Sequence, residues 1–236
     1  SSANPSPSAS NSLTPEPPLY LRLGLDLDAE RPAPDVLPAL SPSAARGAAL
    51  GVQLPAEYIT SDYYRSHSPA ELWAGLRADS SLSRFNDQDL WDLVALTWSR
   101  QSTPAELQAG RELYAENCPA CHGESGAGDG VYADELDLSD GHAAAGERTD
   151  ADGHETAAPQ DGMSGDMTGE MTQAPTDFTE LEHSLAASPA HWQGKILRGG
   201  MGTGMPGWGP IFTEEQTWAL GAHLWTFVFE YQAYPN

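Results

Sequence analysis

The chain has 236 residues, 39% of them hydrophobic, with 11 Lys and Arg set against 34 Asp and Glu, for a formal net charge of −23. That charge excludes nucleic acid as a natural partner, because phosphate backbones are held by clustered Lys and Arg. It favours a basic docking partner, or simply solubility. The length allows one ordinary domain and a smaller companion, and no run approaches the ~18–20 apolar residues that cross a bilayer.

Residues 1–19 open with "SSANPSPSASNSLTPEPP", a stretch too rich in Ser and Pro to bury a core. It suits a tether, for example behind a lipidated residue or a cleaved signal; the plainer reading is a frayed tail. Residues 20–101 are expected to form an N-terminal helical unit. Its helical segments are "SPAELWAGLRADS" and "FNDQDLWDLVALTWS".

The next element, "TPAELQAGRELYAENC", predicts a helix with Thr103 as N-cap and Pro104 at its first position. Gly110 and Tyr114 fall one turn apart, where a glycine admits a second helix closely. The helix delivers Cys118-Pro119-Ala120-Cys121-His122, which holds the only two cysteines of the chain. A two-residue gap fits a disulfide redox pair, half a zinc site, or haem attachment. Zinc would need two further ligands at characteristic spacing, and no second such pair exists. A redox dithiol should follow a strand in a βαβ pattern, and none is visible. The five residues are the complete c-type haem attachment sequence, with two thiols for thioether bonds and an adjacent imidazole for the iron.

Residues 138–173 are acidic and nearly devoid of large apolar side chains, which predicts a disordered insertion. Met163, Met167 and Met171 recur there every four residues; thioethers suit Cu(I), although incidental methionines in an acidic loop explain them more simply. Beyond it, "SPAHWQGKILRGG" predicts a helix capped by Ser188 with Pro189 first. It leads into the Gly-rich loop "MGTGMPGWG", which carries Met201 and Met205. "TEEQTWALGAHLWTFVFEY" predicts a last amphipathic helix with a Thr213/Gln216 capping box.

Together, residues 104–230 resemble a class I cytochrome c, a mostly α fold in which the first and last helices cross. "CHGESGAGDGVYADEL" and "APTDFT" match the text that follows the haem motif in that family, here separated by the acidic insertion. The resemblance implies a cytochrome domain over residues 102–236 and one covalent haem c on Cys118 and Cys121. It implies His122 and Met205 as iron ligands, Met205 being preferred to Met201 because a proline follows it. It further implies the Pro175 carbonyl as hydrogen-bond acceptor for the proximal imidazole. Trp208, with Trp192 and Leu197, would line the haem pocket. His223 stands where the family's last helix usually carries a tyrosine, either as a packed interface residue or as a distal competitor for iron.

The N-terminal unit repeats part of this pattern. Phe85, Trp91, Leu93, Ala95 and Trp98 fall in register with Phe212, Trp218, Leu220, Ala222 and Trp225. This suggests over residues 52–100 a remnant of a second cytochrome unit without haem motif or ligand loop; the alternative is a plain helical hairpin. A His/Met haem leaves no open iron site and suits one-electron transfer rather than bond chemistry. The expected function is electron transfer outside the cytoplasm, on the periplasmic side of a membrane, with redox proteins as partners and without enzymatic activity of the chain's own. The layout is similar to the monohaem cytochrome subunit of bacterial alternative complex III, a membrane complex of a respiratory chain. A mobile soluble cytochrome, and a haem enzyme or gas-binding protein with an open sixth iron site, remain as alternatives.

Overall fold

Side-chain caps set where the longer helices begin in the computed structural model of the chain, which describes residues 16–133, 174–201 and 203–231. The acidic insertion expected over 138–173, its methionines, and residues 1–15 of the expected tether lie outside the described residues. The chain starts with a short helix α1 (Leu19–Arg22), followed by α2 (Ala44–Ala49) and α3 (Ser61–Ser66). Then come α4 (Pro69–Ala78) and α5 (Asp87–Ser99). Ser68 with Glu71, and Asn86 with Asp89, form capping boxes that start these two helices.

In the C-terminal half, α6 (Pro104–Asn117) starts at a Thr103/Glu106 capping box and runs into α7 (Pro119–His122). After the insertion come α8 (Leu181–Leu185), α9 (Pro189–Arg198) and α10 (Glu214–Leu224). Ser188 caps α9, and Thr213 with Gln216 caps α10. A last helix running on to Tyr231 is the expectation; α10 instead ends at Leu224 and tightens into a 3₁₀ turn over Trp225–Phe227. The chain leaves the helix because its end pairs elsewhere. Glu230 N–H donates to the Pro42 carbonyl (2.8 Å) and its carbonyl accepts from Ala44 N–H (3.1 Å), which makes a parallel bridge between Ser43 and Glu230.

Two helix crossings organise the molecule, α6 on α10 and α2 on α5. Each is possible because one helix offers a glycine. A Cβ on Gly110 would stand 2.0 Å from the Ala219 carbonyl oxygen and 2.9 Å from the His223 Cβ. A Cβ on Gly47 would stand 2.1 Å from the Asp92 carbonyl oxygen and 3.1 Å from the Leu96 Cβ. These pairs stand in the same register as the aromatic repeat: Asp92 and Ala219 follow Trp91 and Trp218, and Leu96 and His223 precede Trp98 and Trp225 by two residues.

The two halves share one core. Trp98 of α5 meets Trp225 edge-on at 6.1 Å, and both are fully buried. Leu72, Leu76, Leu90, Leu93, Leu185 and Leu220 are fully buried around them. A cap contributes about 1 kcal/mol, whereas burying one leucine contributes ~1.5–3 kcal/mol. Burial therefore holds the helices together, and the caps decide their starting points.

Candidate haem site

The site is built where α6 gives way to α7. Cys118 is the last residue before α7, and its carbonyl accepts from both Cys121 N–H (3.2 Å) and His122 N–H (2.9 Å). Three functional side chains thus leave a single tight turn. α7 stops at Gly123, whose φ of +75° is a conformation that side-chain-bearing residues avoid. The following residues, "ESGAGDG", wrap back over the turn. Gly128, Gly130 and Tyr132 N–H groups donate to the carbonyls of His122 (2.9 Å), Cys121 (3.1 Å) and Ala120 (2.9 Å). The buried Tyr114 hydroxyl, reaching from α6, donates to the Gly123 carbonyl at 2.7 Å. The orphan carbonyls at the end of this short helix are satisfied by the glycine-rich collar, which holds the cysteines and His122 in place.

The imidazole of His122 is oriented by its Nδ1, which lies 3.1 Å from the Thr176 carbonyl oxygen. A carbonyl only accepts, so Nδ1 carries the proton and Nε2 keeps its lone pair for a metal. The expected acceptor at this place is the Pro175 carbonyl, and here the structure departs from the expectation by one residue. The Pro175 carbonyl is turned against Gly128 instead, 2.6 Å from where a Cβ there would stand. Burial holds His122 below the ordinary imidazole range, opposed in part by the bond to Thr176. The ring stacks on Phe178 at 4.8 Å, and Phe178 meets Trp192 of α9 edge-on at 5.4 Å. An aromatic wall thus connects the His122 turn to the helix that precedes the methionine loop.

That loop folds back on its own root. Trp208 N–H donates to the Ile196 carbonyl (2.9 Å) and Gly209 N–H to the Leu197 carbonyl (3.1 Å), so the loop caps the helix it leaves. Inside it, Gly200 N–H donates to the Met205 carbonyl (3.2 Å), and Met205 N–H to Thr203 Oγ1 (3.2 Å). Met205 is half-buried, whereas Met201 is 68% exposed. Trp208 is half-buried and stacks on Phe212 at 5.0 Å. His223 packs at the α6–α10 crossing, 5.4 Å from Tyr114 and 5.2 Å from Phe227, and burial pushes it down to about 4.

The donor set fits a covalently held haem. Cys118 and Cys121 are both free thiols. Burial, and secondarily the neighbouring Cys121, pushes Cys118 up to about 12. A redox dithiol needs the opposite, a lowered thiol that reacts as thiolate. Two half-buried thiols beside a neutral imidazole with a free Nε2, against an aromatic wall, suit thioether attachment and axial ligation of a porphyrin iron.

What sequence reasoning missed lies outside this turn. The α2–α5 crossing was not anticipated, since α2 is only six residues long; its one signal was Ser43 followed by Ala-Ala-Arg-Gly, a cap before a small-residue turn. The Thr176 carbonyl left no signal beyond its neighbour Pro175.

No curated protein matches this sequence. Among solved structures, a chain of the Kuenenia stuttgartiensis reducing HAO-like protein complex Kustc0457/Kustc0458 aligns with a TM-score of 0.37 and 17% identity, over 68% of this chain and 72% of that one. The family model for cytochrome c matches residues 107–227, from within α6 to the 3₁₀ turn after α10. With the attachment turn, the oriented histidine and the α6–α10 crossing all inside that span, the chain belongs to the cytochrome c family and is a haem c protein of electron transfer.

Proposed function

We propose that the chain is a one-electron carrier with a single haem c, joined through Cys118 and Cys121 and ligated by His122 and Met205. The observation that carries this reading is the His122 turn. Its Nδ1 is committed to the Thr176 carbonyl, so Nε2 is the free donor, and both thiols leave the same turn. Bound there, the haem supplies a ferric/ferrous couple. The chain's own part is to hold the ring of His122 by a carbonyl and a stacked Phe178, to keep the two half-buried thiols on the same turn, and to close a methionine loop on its own helix. Met205, half-buried and followed by Pro206, is the thioether suited to the sixth position.

A single haem follows from the cysteine count, since no other thiol exists in the chain. Residues 20–101 are read as a cytochrome-like unit that lacks an attachment site, packed against the haem domain of residues 102–236. The matched crossings at Gly47 and Gly110 support that reading. No helix among the described residues is long and apolar enough to span a membrane. We place the protein on the periplasmic side, membrane-associated, as a tethered carrier or built-in subunit of a respiratory or photosynthetic electron-transport complex. The Ser/Pro-rich stretch at residues 1–19 and the second unit support a subunit more than a small free shuttle.

A pyridine haemochrome assay on the purified chain tests the reading: one covalently bound haem per chain is expected, and Cys121→Ala abolishes stable attachment. Two haems per chain would overturn the account of the N-terminal unit.

A further inference from the structure

The segment from Pro18 to Arg31 runs along α9 and touches one stripe of that helix. The Arg31 guanidinium donates to His191 Nδ1 at 3.0 Å. Tyr20 and Leu27 lie over Gly194, each with carbons 2.9 Å from where a Cβ would stand. Lys195 Nζ donates to Asp28 Oδ1 at 2.8 Å. Arg198 donates to both oxygens of the same carboxylate, at 2.6 and 2.8 Å. His191, Gly194, Lys195 and Arg198 follow the i, i+3, i+4, i+7 spacing of one helix face. The opposite face, with Trp192 and Ile196, belongs to the core. α9 is thus held from both sides, and its solvent side is covered by a segment more than 150 residues away in sequence.

The last grip of this strap falls at the root of the methionine loop. Ile196 and Leu197 supply the carbonyls that accept from Trp208 and Gly209, and the next residue is Arg198. Its carbonyl lies 2.8 Å from where a Cβ on Gly207 would stand. Whatever fixes the last turn of α9 therefore fixes both ends of the loop over residues 199–209.

We propose that Asp28 is a positioning residue for the axial-ligand loop: by gripping Lys195 and Arg198 it holds the last turn of α9, and with it the loop that carries Met205, closed. The proposal rests on the reading of Met205 as iron ligand given above. Isolated exposed ion pairs contribute little. This carboxylate instead meets a guanidinium fork and an ammonium together, beside the buried Leu27, and forked charge-assisted bonds fix geometry as well as energy. Hydrogen bonds from Arg198 and then Lys195 hold the Asp28 carboxyl well below the usual carboxylate range. Removing it would also leave Lys195 and Arg198, one turn apart, without their hydrogen-bonded carboxylate.

The test uses the haem-loaded full chain and two readouts. In Asp28→Asn, hydrogen–deuterium exchange at the Trp208 and Gly209 amides should quicken about threefold to tenfold, while the amides of α5 keep their rates. Imidazole binding to the ferric iron should quicken by the same factor, because loop opening admits it. Arg198→Met should act alike, and Asp28→Glu should restore most of the loss. Asp87→Asn, which removes the exposed pair with Arg77 in the N-terminal unit, should leave both readouts unchanged. Unchanged loop amides in Asp28→Asn, or quickening spread equally over α5, would overturn the proposal. Faster loop exchange without faster imidazole binding would leave the clamp standing and overturn Met205 as ligand, as would a Met205→Ala protein that keeps its ferric methionine–iron band.

Discussion

Met205 and Met201 lie in one glycine-rich loop but in different surroundings, the first half-buried with its amide tied to Thr203, the second largely in water. Met205→Ala should therefore abolish the weak near-infrared band of methionine-ligated ferric haem, lower the reduction potential, and open the iron to cyanide and carbon monoxide. Met201→Ala should change none of these. Absorption spectra of the two variants decide the matter, and the reverse pattern would assign the iron to Met201. At His191 the structure predicts a pH effect. Burial, reinforced by the charges of Arg31, Lys195 and His183, pushes its imidazole down to about 3, against an ordinary value of 6.5. Between these values the unfolded chain binds a proton that the fold does not. The contribution is complete above about pH 6.5 and is lost as pH falls towards about 3. His191→Gln keeps an acceptor for Arg31 and removes the titration, so denaturation midpoints measured across that range should fall less steeply than in the natural protein. An equal slope would contradict the assignment. Single residues were legible where chemistry is written in adjacent letters, as at Cys118, Cys121 and His122. They were not legible where a backbone carbonyl acts, because carbonyls carry no residue type; hence Thr176 rather than Pro175 meets the imidazole.

The helices show why some elements could be read and others could not. α6, α9 and α10 each open on a Ser or Thr cap, followed by Pro or by a Glu or Gln at the third position, so their starts follow from local chemistry. The end of α10 did not, because it is set by pairing between Glu230 and residues 42–44. The strap over α9 was equally hidden, since an ion pair between Asp28 and Arg198 has no local signature. The two glycine crossings offer a direct test at this scale. A methyl group placed 2.0 Å or 2.1 Å from a carbonyl oxygen forces the helices apart, and overpacking of this kind costs about 1–3 kcal/mol. Gly110→Ala and Gly47→Ala should each lower the denaturation midpoint by a comparable amount. A Gly47→Ala protein of natural stability would show that the α2–α5 crossing is not the counterpart of α6–α10.

For the molecule as a whole, the shared core and the net charge set the terms of docking. Trp98 and Trp225, buried against each other, join the N-terminal unit to the haem domain, so a partner held by that unit is held close to the cytochrome fold. With a charge of −23, reduction of the isolated chain by a basic partner should slow as ionic strength rises, because the Debye length shrinks to about 10 Å at 0.1 M. Within a permanent membrane complex the rate should scarcely respond. Stopped-flow reduction across a salt series, on the isolated chain and on membranes, separates a built-in subunit from a mobile carrier. The proposed role depends on a single six-coordinate haem that passes one electron. A potentiometric titration of the purified full chain, followed by its visible and near-infrared spectrum, tests it most directly. One one-electron step per chain is expected, with the c-type ferrous spectrum below the midpoint and the methionine–iron band above it. Two steps of equal amplitude, or a ferric spectrum of five-coordinate iron, would contradict it.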